Sequence, residues 1–321
     1  MGGAKVTKGR WRAKEPSKVH CTERYEVAYV IGFIEATISG ILMGGLYGFI
    51  AVSLSLIFGV AKIVNFAHGA LFMVAMFLVY WILVLLKVDP YLSSLIAAGF
   101  LFFFGYFFQR LFIEPILRRE KETAPLTVIL LTSGLMMIIE NVALLLFGAD
   151  YRTVKTGYTG KVWEIAGLFI AQPRMIGFVL SLVLILLLEL YLRKTNLGRA
   201  IRATSQDREA ARLMGIDDYR VYKITFGVGG TMLGFAAAFL VPFYFVHPAV
   251  GELFVLKSFV IVVLGGLGSI TGAFLAGIIV GIIESLGAQF INSALVESLI
   301  FIIFIGCLVV KPTGLLGKQR E

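Results

Sequence analysis

Cysteine occurs only twice, at Cys21 and Cys307, and histidine only three times in 321 residues. Two cysteines in unrelated contexts give neither a disulfide framework nor a cysteine metal site. His20 and His247 have no companion at ligand spacing, so a metal centre is not expected. No HExxH, no Ser/His/Asp order and no paired-carboxylate cleft is present, which leaves little room for acid–base catalysis. The G-x4-GK[ST] phosphate loop is also missing: the glycine cluster at 265–269, GGLGS, lacks the lysine that holds phosphates, so this chain is not expected to hydrolyse ATP. Charged residues make up just 15% of the sequence. The formal charge of +9 therefore comes without the dense basic and aromatic patch of a nucleic-acid binder. Residues 1–30 are polar and basic and lack the short apolar core and cleavage site of a signal peptide. Insertion through the first membrane helix is expected instead.

What the chain has in excess is apolar surface. The hydrophobic share is 59%, against roughly 45–50% in soluble domains. It comes in runs at about 31–58, 69–86, 91–108, 125–147, 175–192, 224–241, 254–264, 270–288 and 292–310. Eight of these approach the ~20 residues that cross a bilayer as helix, and 254–264 is short for a full crossing. Backbone groups in lipid must be paired within the segment, so helices are the default, and the alternation of a membrane β-barrel is absent. The expected fold is an all-α polytopic membrane protein of about eight to nine transmembrane helices. A basic head (1–30) and a tail (311–321) flank one membrane body (31–310).

Orientation follows from the basic residues. The loops 109–124 and 193–223 hold twelve Lys and Arg, and 148–174 holds four, so the first two should be cytoplasmic. Counting forward, the C-terminus is inside only if 254–264 also crosses. Counting back through three runs puts the N-terminus outside, whereas Lys5, Lys8, Arg10, Arg12, Lys14, Lys18 and Arg24 argue for inside. A re-entrant segment among the first three runs would remove that conflict. Lys257 touches a run edge, from which a long side chain can reach the headgroups.

Glycines punctuate the runs. Gly44/Gly48 and Gly268/Gly272 have the spacing that lets helix backbones approach closely. The cluster GGLGSITG, with Gly265, Gly266 and Gly268, interrupts an apolar stretch, and broken helices at depth are tolerated only where protein or a cavity covers them. Among the carboxylates, Glu35 and Glu189 lie near run ends and read as structural. Glu140 and Glu284 are deeper, and such residues default to a functional reading in membrane helices; the bland alternative is helix–helix hydrogen bonding.

The loop 194–222 is the most basic and reads as carrying a short cytoplasmic helix. Asn196 and Gly198 suit the end of the preceding span, Ser205 can cap the new helix with Asp207 in its first turn, and Gly215 can end it. Ala210, Leu213 and Met214 share a face, and Glu209 and Arg212 are spaced for an i,i+3 pair. The segment EAARLMG, 209–215, is similar to the EAA-x3-G loop of ABC importer permeases, whose helix seats on the ATPase. That resemblance implies a coupling role for Glu209, Ala210, Ala211 and Gly215. Residues 44–77, with NFAHG, residues 262–284 and KPTGLLG at 311–317 extend it: from about residue 36 to 317 the chain resembles LivH-type permease subunits of branched-chain amino-acid ABC importers. The long basic head and the phenylalanine-rich FLFFFGYFF depart from the usual pattern.

The resemblance implies a multi-pass subunit of a prokaryotic inner membrane that translocates branched-chain or related amino acids. Its implied partners are two ABC ATPase subunits that hold the ATP and magnesium, a second LivM-type permease subunit, an extracytoplasmic substrate-binding protein and membrane lipid, with no nucleic acid. Asn65 and His68 of NFAHG, together with Gly265, Gly266 and Gly268, are candidates for the translocation path or its gate. Alternatively Asn65 caps the next helix and His68 lies at the headgroup boundary. A sugar-type ABC permease, a proton-coupled carrier or channel motivated by Glu140 and Glu284, and a lipid-modifying membrane enzyme are the alternatives.

Overall fold

A computed structural model describes residues 18–119, 124–165, 167–291, 293–311 and 313–316; most of the basic head and of the tail lies outside them. The architecture is an all-helical membrane bundle with one small hairpin. In order it comprises α1 (Lys18–Ala61), α2 (Ala67–Leu86), α3 (Pro90–Phe108) running through a π-helical turn (Gln109–Ile113) into α4 (Glu114–Arg119), α5 (Ala124–Phe147), β1 (Val162–Ile165), β2 (Leu168–Ala171), α6 (Gln172–Lys194), α7 (Asn196–Gln206), α8 (Arg208–Leu213), α9 (Asp218–Leu240), α10 (Val250–Gly265), α11 (Ile270–Phe290) and α12 (Ser293–Val310). Among the described residues seven helices are long and apolar enough to cross a membrane, in segments Tyr29–Ala61, Ala67–Leu86, Pro90–Arg119, Ala124–Phe147, Gln172–Lys194, Asp218–Leu240 and Ile270–Phe290. The shorter α10 also runs from one end of the bundle to the other, as the contacts at its two ends show below, and α12 follows the outer end of α11 back toward the tail.

Small residues set the centre of the bundle. Gly44 and Gly48 of α1 face Gly277 and Gly281 of α11 so closely that a Cβ on Gly277 would sit 2.3 Å from the Gly48 Cα, and one on Gly281 would sit 2.3 Å from the Gly44 Cα. Without a hydrophobic force between helices in lipid, such backbone contact is a principal source of cohesion. The second close pair is α3 with α9, where Gly230 lies against the Leu101 carbonyl and Gly234 against the Ala97 and Ala98 backbone. Leu46, Phe49, Ile50, Phe72, Met73, Met76, Leu101, Leu233 and Phe239 fill the fully buried core around these seams. Helices α5 and α12 instead turn large apolar side chains outward, with Leu145 and Val309 at least 80% exposed, the surface expected to meet lipid or another membrane subunit.

The two ends differ in character. At one, β1 and β2 pair antiparallel, the Phe169 N–H donates to Glu35 Oε1 of α1 at 2.9 Å, Arg174 donates to Ser39, and Arg152 exchanges two backbone hydrogen bonds with Val246 just before α10. At the other end lie the 62–66 turn, α4, α7, α8 and the α10–α11 turn. There Gly59 near the end of α1 meets Gly268, and the tail donates from the Leu315 and Leu316 amides to the Leu264 and Gly265 carbonyls. Arg118, Arg119, Arg193, Lys194, Arg199, Arg202, Arg208, Arg212, Arg220 and Lys223 all belong to this second end, which makes it the cytoplasmic one.

The described part of the basic head leads into α1 at the outer end, and α1, α2 and α3 all cross fully, so no re-entrant segment reconciles the head with the positive-inside rule. The helix that holds the 254–264 run starts four residues earlier at Val250 and reaches from the outer-end bridge at Val246 to the cytoplasmic-end glycine turn, and the chain leaves α12 at the cytoplasmic end.

Candidate functional site

The cytoplasmic elbow is built by side-chain caps. Thr195 ends α6 and caps α7, accepting from the Gly198 N–H at 2.9 Å. Asp207 caps α8, accepting from the Glu209 and Ala210 N–H groups at 2.9 and 3.0 Å. Asp217 caps α9 through Arg220 N–H at 3.2 Å. Three of the assignments made from sequence are corrected by this arrangement. Asn196 opens α7 instead of closing the previous span, and Gly198 is a packing glycine whose missing Cβ admits the Tyr191 carbonyl and Leu192 backbone. Ser205 is inside α7, returning its hydroxyl to the Arg202 carbonyl, so the cap role falls to Asp207.

Within α8, Ala211 is 4% exposed and faces the body, while Leu213 and Met214 are 89% and 83% exposed. Glu209 and Ala210 also point outward. Gly215 holds φ +82°, a left-handed conformation that glycine adopts without the Cβ penalty, and the Ile216 N–H returns to the Ala211 carbonyl at 3.0 Å. The Glu209–Arg212 pair inferred from spacing does not form. Arg212 and Arg208 both reach across the turn to Asp218 Oδ2, at 2.8 and 2.6 Å. Hydrogen bonding to this carboxylate raises the Arg212 pKa above its ordinary value. The Arg208 guanidinium also lies 5.3 Å from the Tyr222 ring centroid and that of Arg212 5.8 Å from Tyr219. Asp218, whose side chain is 4% exposed, thus bolts an otherwise exposed helix to the start of α9. Sequence reasoning missed it because a separation of ten residues across a turn has no periodic signature.

Above the elbow, Leu56, Gly59 and Val60 of α1, Glu189 and Arg193 of α6, Ile201, Arg202 and Ser205 of α7, and Gly268 and Thr271 line a cytoplasmic cavity of about 270 Å3. The glycine break therefore sits at the cytoplasmic end of the bundle and not at its mid-depth. Gly265 backs onto the Gly272 and Ala273 backbone, and Gly266 and Gly268 take φ of +100° and +85°. Ser269 caps α11 through Gly272 N–H and its carbonyl accepts from Ser55. Glu189 pairs with Arg193 at 2.6 Å, the structural role expected of it, and Glu35 has the matching role at the outer end.

NFAHG turns α1 into α2. Asn65 is fully buried, His68 is 1% exposed, and neither follows the alternative of a cap and a headgroup-level ring. The residue before α2 is Phe66, with no side-chain cap, and its N–H is taken by Thr132 of α5 at 3.2 Å. His68 Nε2 lies 3.0 Å from Ser53 Oγ, which itself donates to the Ile50 carbonyl. The Asn65 amide and His68 Nδ1 have no hydrogen-bond partner among the described residues. Deep polar groups of this kind are costly in a membrane protein and tend to line a path or a partner contact.

A second polar cluster lies between α1, α10 and α11. Lys257 Nζ is 2.8 Å from Glu284 Oε1, and Tyr47 donates to the same oxygen at 3.2 Å. Lys257 is thus mid-helix and paired, not at a run edge reaching for headgroups. Glu284 makes the helix–helix bond that was one of its two readings, whereas Glu140 leaves a buried oxygen without a partner among the described residues. Among the described residues no group of three or more His, Cys, Asp or Glu could hold a metal.

Residues 36–308 match the family described as branched-chain amino acid transport system / permease component. The chain is 28% identical over 302 residues to the high-affinity branched-chain amino acid transport system permease protein LivH of Escherichia coli K12, covering 90% of this chain and 96% of that one. It is 27% identical over 301 residues to BraD of Pseudomonas aeruginosa, a permease protein of the same description, at 90% and 97% coverage. Against the probable LivH of Methanocaldococcus jannaschii the identity is 29% over 292 residues, with 86% and 90% covered. No solved structure matches.

Proposed function

Since the chain belongs to the branched-chain amino acid transport system permease family and is a multi-pass inner-membrane protein, we propose that it is the membrane-spanning subunit of an ATP-driven importer that translocates branched-chain or related amino acids. In this reading it pairs with a second, LivM-type permease subunit, two ABC ATPase subunits engage the cytoplasmic end, and an extracytoplasmic binding protein delivers substrate to the hairpin end. ATP and magnesium belong to the ATPases.

The observation that carries the proposal is the mechanical form of α8. Its outward face, with Glu209, Ala210, Leu213 and Met214, is free to seat in a groove, while Asp218 ties its inner side to α9. A docking helix that hung loosely would absorb the ATPase stroke. Clamped in this way, α8 transmits displacement to α9, whose glycine face lies against α3, and through α7 to the cavity walls formed by α1 and α6. The positive-φ glycines 215, 266 and 268 are the joints at which the cytoplasmic end turns without side-chain strain. Alternating access then proceeds by rocking of packed helices, and Asn65 and His68, beside the α1–α2 turn, lie where such a rearrangement would be felt.

The experiment is reconstitution. The chain co-purified with its ATPase and permease partners into vesicles should take up labelled leucine only with ATP and the binding protein. An imposed proton gradient should not substitute, and gradient-driven uptake without nucleotide would replace this reading with a carrier.

A further inference from the structure

Glu35 and Arg174 hold the outer end together, yet each uses only part of its bonding capacity there. Glu35 accepts from the Phe169 N–H through Oε1 alone. Arg174 donates to Ser39 Oγ through Nη1 alone, although a guanidinium carries five donors. The two are not paired with each other, and neither has an ion-pair partner among the described residues. Both line one cavity of about 160 Å3 between α1, the hairpin and the start of α6. Its other walls are Ile38, Leu42, Val162 and Ile170, and the Arg174 guanidinium is backed by the Phe243 ring, 5.8 Å from its centroid. Leu42 and Ile170 are buried, whereas Val162 and Phe169 are exposed, so one wall is dry and the other borders the outer surface.

Apolar walls with a few convergent polar groups are the usual make-up of a small-molecule site. A carboxylate and a guanidinium that share one such cavity without pairing are the complement of a molecule carrying both charges. Resting on the transport reading above, we infer that this cavity is an entry site at which the permease receives an aliphatic α-amino acid. The α-carboxylate takes the remaining Arg174 donors, whose planar fork suits a carboxylate. The α-ammonium takes Glu35 Oε2, and the aliphatic side chain lies on Ile38, Leu42 and Ile170. An ion of a single charge would satisfy one of the two groups and leave the other facing the apolar walls alone. The space is about five times the ~30 Å3 share of a water molecule, which takes one small amino acid and excludes a peptide. The site lies at the hairpin end, where the delivered substrate first meets the chain.

The test uses the full permease–ATPase assembly in nanodiscs without the binding protein, probed by saturation-transfer NMR with L-leucine, 4-methylpentanoate and 3-methylbutylamine. Leucine should give a signal at least fivefold above both single-charge analogues, and Glu35→Gln and Arg174→Gln should each lower it at least fivefold. Equal signals for the three ligands, or undiminished leucine contact in both variants, would overturn the site. Glu35→Gln removes the charge and keeps an oxygen for the Phe169 N–H, so hydrogen exchange of residues 162–171 should match wild type. Loss of leucine contact only together with faster exchange there would reduce Glu35 to a structural tie. The affinity of the binding protein for the assembly should be the same in both variants. A lower affinity with leucine contact intact would make the two charges a protein-docking contact instead. If the wild-type complex, given ATP and the binding protein, transports no leucine, the parent reading fails; if it transports and the variants match it, only the entry site does.

Discussion

Replacing Asp218 with Asn should uncouple ATP hydrolysis from transport without dismantling the bundle. The substitution keeps the volume but removes the charge that receives Arg208 and Arg212 at 2.6 and 2.8 Å. Hydrogen bonds to an ionised partner contribute roughly 1.5–3 kcal/mol each. Both guanidinium groups are a third or more exposed, at 36% and 45%, so solvent takes much of that away. A local loss of about 2–3 kcal/mol remains, which is roughly a 30- to 150-fold rise in the population with α8 detached, at 1.4 kcal/mol per factor of ten. Hydrogen exchange on residues 208–216 of the assembled complex reads this directly, as faster exchange confined to that stretch. In vesicles the leucine transported per ATP should fall several-fold while hydrolysis persists. Unchanged exchange together with unchanged stoichiometry would refute the argument that the carboxylate bolts the helix.

Gly215→Ala should cost about 1–2 kcal/mol, the penalty of a Cβ in the left-handed region, and lower substrate-stimulated ATPase activity of the complex; normal stimulation would show that the exit from α8 tolerates strain. Gly277→Leu should prevent a stable bundle, since even a Cβ there would lie 2.3 Å from the Gly48 Cα, whereas Gly134→Leu, with open space around it, should leave the melting temperature in detergent within a few degrees of wild type. Burial against Tyr151 lowers the pKa of His247 in the outer loop below its ordinary 6.5. The unfolded chain then binds the proton more readily, so this contribution to stability is complete above about pH 6.5 and is eroded as pH falls toward the lowered value. Melting of detergent-purified protein between pH 5 and 7.5 should show that slope, and His247→Gln should flatten it; an identical slope would assign it elsewhere.

Local chemistry was legible where it depended on near neighbours. The spacing EAARLMG announced a short exposed helix with a glycine exit, and the residues 209–215 form one. The small residues at spacing four in α1 announced a close approach, but that α11 is the helix they meet is a tertiary fact. Charges were harder. Twelve basic residues in two loops give the body one orientation and those in the head the other, and the helices α1, α2 and α3 place the two groups at opposite ends of the bundle. Lys257 was misplaced by truncating its run at residue 254, since hydropathy alone does not see the four residues Val250–Leu253 that complete the helix. Glu209 and Arg212 had the right spacing and no bond, because a buried aspartate across the turn, with two guanidinium groups converging on it, outcompetes an exposed i,i+3 pair. Asn65 could be read as a path residue or as a cap, and of the two the cap is excluded, since its amide is buried where the Phe66 N–H meets Thr132 of α5.

Everything in the transport mechanism depends on which side of the membrane α8 occupies and on what covers it. A single cysteine at Leu213, in a background lacking Cys21 and Cys307, can be tested with a membrane-impermeant maleimide. It should stay unlabelled in intact cells, react once the membrane is opened in cells without the ATPases, and be shielded again when they assemble on the chain. Labelling from outside intact cells, or equal labelling with and without the assembled ATPases, would contradict the account.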